Sequence, residues 1–486
     1  MTTRRFGIAR YVGCLVVAAM MQQPVHAAGA AGRTHTMRIV FTNFPAAEPL
    51  VNFPALVVLG THIPGFSYSS FGSSEGADLY FTDSSGAQPL NYEIEKWNPN
   101  GLSYVWVQVP VLTNGASIVA WWGLSGVTAP ACTTNGATWS EGYKAVWHLS
   151  STNDSTANRL HAGLIGPTPT LTAGVVAGGY SFNYGVDAAT ADGMVNSNLN
   201  WTPTAFTVSW WVKPHGTTGY RPMIGDTWGT FYAHSDFDVG KMYIGTDAGT
   251  CFRPADFANP VFDFYQWNHL TFIYDNGAAR VLKNGVTLVS KTGLTLPTLW
   301  NVFYVWKPYY GFYVNEVGYI DEVQLSSVAR STNWVRAAYL SMASNSTVTT
   351  YERVRVPADF SSWGCSVQIT LTNYPAAEPL TNFPALVLLS TNISNFSYRQ
   401  FSSPVGADLR FADAEQSELN YEIEKWDTNG TSVVWVQVPV LTNGACLRAY
   451  WQRDGVTAPA YTTNGATWSE GYKAVWHLSS TNDSTA

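Results

Sequence analysis

Two glutamates separated by one residue, Glu93 and Glu95, occur in the segment NYEIEKW, and the same segment returns with Glu422 and Glu424. Side chains two apart on a strand point to one face, so each pair could hold two carboxylates close together. Carboxylates about 5 Å apart act as acid and nucleophile in retaining glycosidases. Glycosidases that work this way on sandwich folds need a third acid in an ExDxxE arrangement, which the sequence lacks. We therefore predict a solvated strand face for both pairs.

Other catalytic patterns are missing as well. The sequence contains no HExxH and no glycine-rich phosphate loop. Nine histidines are scattered along the chain, and we predict that His148 and His477 are ordinary strand residues at a domain entrance. The sequence therefore predicts a protein that is not an enzyme.

Aromatic side chains offer a different chemistry. Sugar rings stack on exposed aromatic faces while their hydroxyls need hydrogen-bond partners. Most tryptophans alternate as in a sandwich core, which is the alternative role for any aromatic residue in a strand. The candidates for carbohydrate binding lie in a long insertion and in the segment VWKPYYGFY: Trp228, Tyr232, Trp306, Tyr309 and Tyr310.

Acidic residues in predicted loops could supply the hard oxygen ligands that calcium prefers. The candidates are Asp187, Asp192, Asp236 and Asp238. Their spacing matches no complete calcium loop, and solvated loop acids are the alternative. The cofactor prediction is accordingly none, or calcium.

These residues lie in or between short apolar runs that are bounded by the turn residues Gly and Pro and by Asn-Gly pairs. Such short runs are typical of strands, so the sequence predicts an all-β chain of tandem sandwiches. Eight Asn-Gly pairs accept the positive φ angles of tight hairpins, and we predict antiparallel turns there. The run at 266–293 predicts two successive hairpins, with turns at Asn276 and Asn284. One helix is predicted at 331–343, capped by Ser331 or Thr332.

Internal repetition sets the domain organisation. The 25 residues at 133–157 recur unchanged at 462–486, and the strand-like text of 37–61 recurs at 367–391. We interpret the recurring stretch as a junction that ends one module and begins the next, and we expect residues 474–486 to lack the partners that 145–157 have. The predicted segments are a signal peptide (1–27), a first β domain (33–143), a central domain (144–352), a linker (353–365), a second copy of the first domain (366–472) and the truncated start of another central domain (473–486).

The N-terminus resembles an export signal, with Arg4, Arg5 and Arg10 before a short apolar run that is too short to span a bilayer. Its removal changes the formal net charge from −7 to −10, and an acidic chain disfavours nucleic acid and anionic membranes as partners. Cys132 and Cys446 are not duplicated between the copies, so we expect isolated thiols or at most one bridge. The expected location is outside the cell or on its surface.

Three runs of the central domain resemble the strands of the laminin-G-like jellyroll, a concanavalin A-type sandwich. They are FTVSWWVKP, QWNHLTFIYDNGAARVLKNGV and GYIDEVQLSS. The repeated block with FPALVVL, NYEIEKW and VWVQVP is similar to the bacterial domain of unknown function 2341. The resemblance implies that Asp321 and Glu322 form hydrogen bonds at the sheet edge without catalysing a reaction. Jellyrolls of this type range from sugar binders to structural modules.

Three functions remain open from the sequence. The first is a secreted, non-catalytic bacterial surface protein whose jellyroll binds carbohydrate or a matrix component. The second is a purely structural or adhesive array without a small-molecule site. The third is a glycan-active enzyme without a recognisable motif.

Overall fold

The fold is that of a computed structural model, which describes residues 30, 32–44, 48–166, 168–182, 192–215, 220–225, 231–236, 240–246, 249–294, 300–306, 318–356, 358–374, 378–414, 416–468, 471–478 and 483–485. The predicted signal peptide, residues 1–27, lies outside them. Within these ranges no helix combines the length and apolarity needed to cross a bilayer. The fold is an all-β arrangement of sandwiches, as the sequence predicts.

Contacts divide the chain into two compact units: a larger unit dominated by Met37–Val354 and a smaller unit dominated by Arg355–Ala486. The first part of the larger unit has six strands: β1 (His35–Phe41), β2 (Leu50–Leu59), β3 (Tyr80–Asp83), β4 (Tyr92–Lys96), β5 (Ser103–Leu112) and β6 (Ser117–Trp122). We call this part the N-terminal β domain.

The remaining elements of the larger unit form the jellyroll and its C-terminal helices. The strands are β7 (Tyr143–Trp147), β8 (Gly163–Ile165), β9 (Thr170–Thr172), β10 (Gly179–Phe182), β11 (Gly193–Asn196), β12 (Ala205–Pro214), β13 (Tyr220–Gly225), β14 (Phe231–Asp236), β15 (Lys241–Thr246), β16 (Gly249–Phe252), β17 (Asn268–Asp275), β18 (Ala278–Lys283), β19 (Val286–Lys291), β20 (Phe303–Val305) and β21 (Gly318–Ser326). Helices α1 (Thr332–Ala343) and α2 (Asn345–Val348) precede strand β22 (Thr349–Tyr351).

The N-terminal β domain packs two sheets face to face. One sheet has the strand order β22-β1-β6-β3, and the other has the order β2-β5-β4. Alternate residues of the strands turn inward and are fully buried, among them Phe41, Phe53, Phe81 and Trp122. Each sheet therefore has one apolar face, which the other sheet covers.

The jellyroll also consists of two antiparallel sheets. Its larger sheet runs β19-β18-β17-β12-β21-β10-β9 with β7 paired to β21, and the seven-stranded sheet runs β16-β15-β14-β13-β20-β11-β8. The two predicted hairpins are present as β17-β18-β19. Asn276 and Asn284 adopt φ angles of 44° and 52°, the left-handed conformation that such turns require.

Helix α1 lies between the jellyroll and the N-terminal β domain. Ser331 caps it by accepting a hydrogen bond from the Trp334 amide, as the sequence predicts. The Trp334 ring packs edge-on against Phe53 of β2 at 4.9 Å, and the Ser341 hydroxyl accepts from the Leu56 amide at 2.9 Å. The two domains of the larger unit therefore share one hydrophobic core.

The smaller unit repeats the N-terminal β domain. Its strands are β23 (Cys365–Leu371), β24 (Leu380–Leu389), β25 (Arg410–Asp413), β26 (Tyr421–Lys425), β27 (Ser432–Leu441) and β28 (Ala445–Trp451). They form the sheets β23-β28-β25 and β24-β27-β26, the same orders as in the first copy. The register agrees as well, because Glu93 pairs with Trp106 and Glu422 with Trp435.

Two details of the repeat differ from the sequence predictions or add to them. Asn135 does not form a hairpin turn: Gly136, at φ 83°, precedes a short 3-10 helix, Ala137–Trp139. The identical junction stretches also differ in burial, since Trp147 is 0 % exposed whereas Trp476 is 57 % exposed. Cys132, Cys365 and Cys446 are free thiols.

Candidate functional site

The glutamates of strand β4 face the jellyroll instead of solvent. Glu93 Oε2 accepts from the Trp139 indole at 2.6 Å and Oε1 from the Ser155 hydroxyl at 2.6 Å. Glu95 Oε2 accepts from the Trp106 indole at 2.8 Å, and its side chain is only 1 % exposed. The prediction of a solvated strand face is therefore wrong for this pair, because the jellyroll covers the strand.

Strand β21 brings two further acids to the same place. The register between β12 and β21 shifts at Ser209/Trp211, so β21 carries a bulge at Glu322, whose φ angle is 48°. Asp321 accepts backbone hydrogen bonds from Val175 at 2.6 Å and from Val176 at 3.0 Å. Both acids are buried, and β21 lies inside the larger sheet, so their predicted position at a sheet edge is wrong.

His148 lies at the centre of these carboxylates, directly after β7. Its Nδ1 is 2.7 Å from Glu322 Oε1 and 3.5 Å from Glu95 Oε2, while its Nε2 is 3.8 Å from Glu93 Oε2. The ring stacks on Trp106 at 5.5 Å. The prediction of an ordinary strand residue at a domain entrance is wrong, because His148 links three glutamates from two domains.

We call Glu93, Glu95, His148, Asp321 and Glu322 the junction cluster. Burial raises the pKa of Glu95 to about 8, and the neighbouring Glu322 acts in the same direction while His148 opposes both. Burial also raises the pKa of Asp321. For His148, burial lowers the pKa, but the facing Glu322 and Glu95 carboxylates outweigh it and hold the pKa above its usual range. Glu95, Asp321 and His148 therefore retain protons at pH values where exposed groups would have lost them.

A polar cavity of about 270 Å³ adjoins the junction cluster. Glu93, Glu95 and His148 line it on one side, and the loop Ser150–Ser155 lines it on another. Arg159 also lines it, with its guanidinium donating to the Thr134 carbonyl. Solvent can therefore reach the cluster through this cavity.

The smaller unit reproduces part of the cluster. Glu422 accepts from the Trp468 indole at 2.6 Å and Glu424 from the Trp435 indole at 2.8 Å. His477 Nδ1 lies 3.4 Å from Glu424 Oε2, and Nε2 lies 3.5 Å from Glu422 Oε1. These side chains are 11 to 21 % exposed, so the prediction of a solvated face is wrong here too.

A second candidate site lies on the outward face of the seven-stranded jellyroll sheet. Tyr232 and His234 of β14 alternate with the buried Phe231 and Ala233, so they point away from the core. The Tyr232 ring stacks with His234 at 5.5 Å, and His234 stacks with Tyr243 of β15 at 5.0 Å. The three rings form a continuous row on the sheet.

Two glycines and a further tyrosine complete this face. Tyr232 pairs with Gly245, and a Cβ added there would lie 2.1 Å from the Tyr232 ring, so the ring lies across the glycine. Gly225 pairs with both Tyr232 and Tyr304, which places both tyrosines on one face. Two strand spacings, about 10 Å, separate the strands that carry them. We call Tyr232, His234, Tyr243 and Tyr304 the aromatic face.

Of the five predicted carbohydrate-binding residues, Tyr232 lies on this face, and Trp228, Tyr309 and Tyr310 lie outside the described residues. Trp306 is fully buried, so the prediction of an exposed ring there is wrong. The physical reason is Gly318, because a Cβ at that position would lie 1.8 Å from the Trp306 ring. His234, Tyr243 and Tyr304 were not among the predicted residues, although the segments FYAH and KMYIG show the alternation that places His234 and Tyr243 outward.

The four calcium candidates do not form a described site. Asp192 is buried and accepts from the amide and hydroxyl of Thr168 at 2.9 and 3.0 Å. Asp236 belongs to β14 and pairs with Lys241, and only its backbone is described. Asp187 and Asp238 lie outside the described residues. Calcium binding at these positions stays a prediction.

The two-sheet jellyroll places the central domain in the class of concanavalin A-like sandwiches. Residues 187–336 match the family model of the concanavalin A-like lectin/glucanases superfamily (Laminin_G_3). Residues 75–140 and 405–468 match the domain of unknown function DUF2341. Both resemblances seen in the sequence are thereby confirmed, with the DUF2341 matches on either side of the jellyroll.

Solved structures with related folds are distant in sequence. Domain 4 of AbnA, a GH43 extracellular arabinanase from Geobacillus stearothermophilus, in complex with arabinotriose, is 19 % identical with a TM-score of 0.33; the match covers 40 % of this chain and 96 % of that one. The Trypanosoma rangeli sialidase in complex with 2,3-difluorosialic acid is 14 % identical with a TM-score of 0.32, covering 50 % and 42 % of the two chains.

The binding domain of botulinum neurotoxin serotype G is 10 % identical with a TM-score of 0.33, and the match covers 66 % of this chain and 99 % of that one. A search of curated proteins gave no match. Similarities this remote carry no functional argument for the present chain, whose function has to be argued from its own side chains.

Proposed function

We propose that the protein is an exported, non-catalytic surface protein whose jellyroll binds carbohydrate on the aromatic face. The observation that carries the proposal is the row of Tyr232, His234 and Tyr243, with ring centroids 5.0 to 5.5 Å apart on an outward sheet surface. Apolar faces of sugar rings stack on such platforms. The tyrosine hydroxyls and the imidazole add the polar groups that orient a sugar.

A glycan array with the full chain tests this proposal. We expect binding to at least one glycan class, and we expect Tyr232→Ala and Tyr304→Ala each to weaken it by about two- to tenfold, since one stacking contact contributes about 0.5 to 1.5 kcal/mol. Tyr472→Ala is the matched control, because Tyr472 is a 43 % exposed tyrosine in the smaller unit. Binding by both jellyroll variants at wild-type strength would overturn the proposal.

The same array covers the sequence predictions at Tyr309 and Tyr310. Tyr309→Ala and Tyr310→Ala weaken binding if these residues belong to the same site, and leave it unchanged if the aromatic face is sufficient. Release of reducing ends from a polysaccharide panel would contradict the non-catalytic part of the proposal. Detection of the chain outside the cell, with its N-terminus cleaved near Ala27, tests the export.

A second candidate function is a structural or adhesive module, and the shared core favours it. Trp211 of β12 donates its indole hydrogen to the Met342 sulfur at 3.3 Å, and α1 packs on β2, so the jellyroll and N-terminal β domain are joined through apolar side chains. A rigid two-domain unit suits a spacer. Absence of binding to every glycan on the array, together with cooperative unfolding of the larger unit, would favour this function over the first.

A further inference from the structure

The junction cluster brings three metal-binding side chains of different elements together. Each of three side chains offers one donor atom, and the three atoms lie within 4.8 Å of one another. The side chains are Glu95 of β4, His148 after β7 and Glu322 of β21. Donors about 2.0 to 2.2 Å from one ion are separated by about 3.0 to 3.5 Å. The distances from His148 Nδ1 to Glu322 Oε1 and Glu95 Oε2, 2.7 and 3.5 Å, approach this spacing. One ion could therefore contact all three groups after small side-chain shifts.

The junction cluster contains more acidic than basic groups, so a positively charged partner would stabilise it. Glu93, Glu95, Asp321 and Glu322 supply four carboxyl groups to a buried volume, and His148 supplies one imidazole. Burying unbalanced charge is costly unless protons or a cation neutralise it. A divalent cation would neutralise two carboxylates at once.

Among the described residues, two buried atoms of the cluster have no hydrogen-bond partner. Oε1 of Glu95 and Nε2 of His148 are both without one, although both side chains are at least nine-tenths buried. Buried polar atoms in folded proteins almost always have partners, and a bound ion is one explanation of an exception. The other oxygen of this carboxylate, Oε2, accepts from the Trp106 indole, so Oε1 is the oxygen that a cation could use. This observation is independent of the grouping of the acids.

Glu322 has an unfavourable backbone conformation. Glutamate at φ 48° within a strand is strained, and the bulge in β21 imposes that conformation. Strain of this kind occurs at sites where side-chain direction matters for function. The Gln324 amide, at 3.2 Å from Glu322 Oε2, fixes the second carboxylate oxygen.

We propose that Glu95, His148 and Glu322 bind one divalent transition-metal ion, Zn²⁺ or Mn²⁺, between the N-terminal β domain and the jellyroll. The imidazole ligand suits Zn²⁺ and the two carboxylates suit Mn²⁺, whereas calcium and magnesium prefer all-oxygen sites. The adjoining cavity, which Glu95 and His148 line, gives the ion access from solvent and leaves room for water or another small ligand. Because the ligands come from both domains, the ion stabilises their junction.

The smaller unit provides an internal control. Glu424 and His477 stand 3.4 Å apart as Glu95 and His148 do, but within the described residues the group of three occurs only in the larger unit. The site in the smaller unit lacks the ligand that β21 supplies. The proposal therefore requires one tightly bound ion per chain and not two.

Calorimetric titration of the chelator-treated full chain with ZnCl₂ and MnCl₂ tests this site. We expect one ion per chain with at least one of the two metals, a higher Tm in its presence, and no comparable effect of CaCl₂. Glu95→Gln and Glu322→Gln keep the side-chain shape, and we expect each to weaken binding by about tenfold or more. Glu424→Gln is the matched control and leaves affinity and stoichiometry unchanged.

Two kinds of result would contradict the proposed metal site. No binding of Zn²⁺ or Mn²⁺ by a folded wild-type chain would show that protons alone neutralise the cluster. Binding that persists undiminished in Glu95→Gln and Glu322→Gln, or that falls in Glu424→Gln, would place the ion elsewhere. Circular dichroism and the Tm of each metal-free variant separate loss of binding from loss of fold.

Discussion

Nδ1 of His148 lies 2.7 Å from Oε1 of Glu322, and the contact joins residues 174 positions apart. The histidine follows the first strand of the jellyroll, and the glutamate sits on the bulge of its closing strand. Glu93 and Glu95 of the N-terminal β domain contact the same imidazole. One side chain thus ties together both ends of the jellyroll and the domain before it.

His148→Ala and Glu322→Ala should each lower the free energy of unfolding of the larger unit by about 3 kcal/mol, because each leaves a buried charged partner behind. The double variant should lose clearly less than the sum of the two, since the 2.7 Å pair is then removed as a whole. Chemical denaturation of the metal-free chain measures all three. His477→Ala is the control, with a loss below about 1 kcal/mol, as its contacts are longer and more exposed. Strict additivity would contradict a direct interaction.

Asp78 should be a structural aspartate. Its fully buried carboxylate accepts from the amides of Gly72 at 2.8 Å, Ser73 at 3.1 Å, Gly123 at 2.7 Å and Leu124 at 3.2 Å. Asp78→Ala removes the common acceptor of these four amides, and we expect a loss of about 3 kcal/mol or more by denaturation.

Asp408 makes the same four kinds of contact in the smaller unit. Asp408→Ala should therefore destabilise the smaller unit by a comparable amount, whereas Asp83→Ala, on a half-buried aspartate, should cost less. A calorimetric trace in which Asp78→Ala leaves the larger unit unchanged would refute this role.

Stability at acid pH should depend on His269 of β17. The ring is buried between Trp211, at 5.0 Å, and Tyr339, at 6.0 Å, and neither ring nitrogen has a hydrogen-bond partner among the described residues. Burial lowers the pKa of His269 to about 3. Because the folded pKa lies below the unfolded value of about 6.5, the contribution is complete above pH 6.5 and is lost as the pH falls towards 3.

The expected loss from this histidine between pH 7 and pH 5 is about 2 kcal/mol. His269→Phe replaces the ring by one that cannot take up a proton, so its unfolding free energy should fall less over the same interval. Denaturation curves of wild type and variant at both pH values measure the difference. Parallel pH dependences would show that His269 is not the titrating group.

The sequence predicts those features of the fold that depend only on neighbouring residues, such as tight turns and the start of a helix. Asn276-Gly277 and Asn284-Gly285 specify two hairpins because their φ angles are local properties, and Ser331 specifies a helix start for the same reason. The junction cluster could not be predicted from the sequence, because the contact between Glu95 and His148 depends on how two domains pack. Trp306 shows the same limit: its burial depends on Gly318, which faces its ring from another strand. Identical sequence can even have two environments, as Trp147 and Trp476 do.

Trp147→Ala and Trp476→Ala change the same residue of the same sequence and should have different effects. Trp147 is fully buried, stacks on Phe303 at 5.6 Å and donates its indole hydrogen to the Leu160 carbonyl, so its removal should cost about 4 kcal/mol through lost packing and a cavity. Trp476 is 57 % exposed, and its removal should change the unfolding free energy of the smaller unit by about 0.5 kcal/mol. Denaturant titration of both variants measures the contrast. Equal losses would mean that Trp476 is buried in solution against a partner that covers it as the jellyroll covers Trp147.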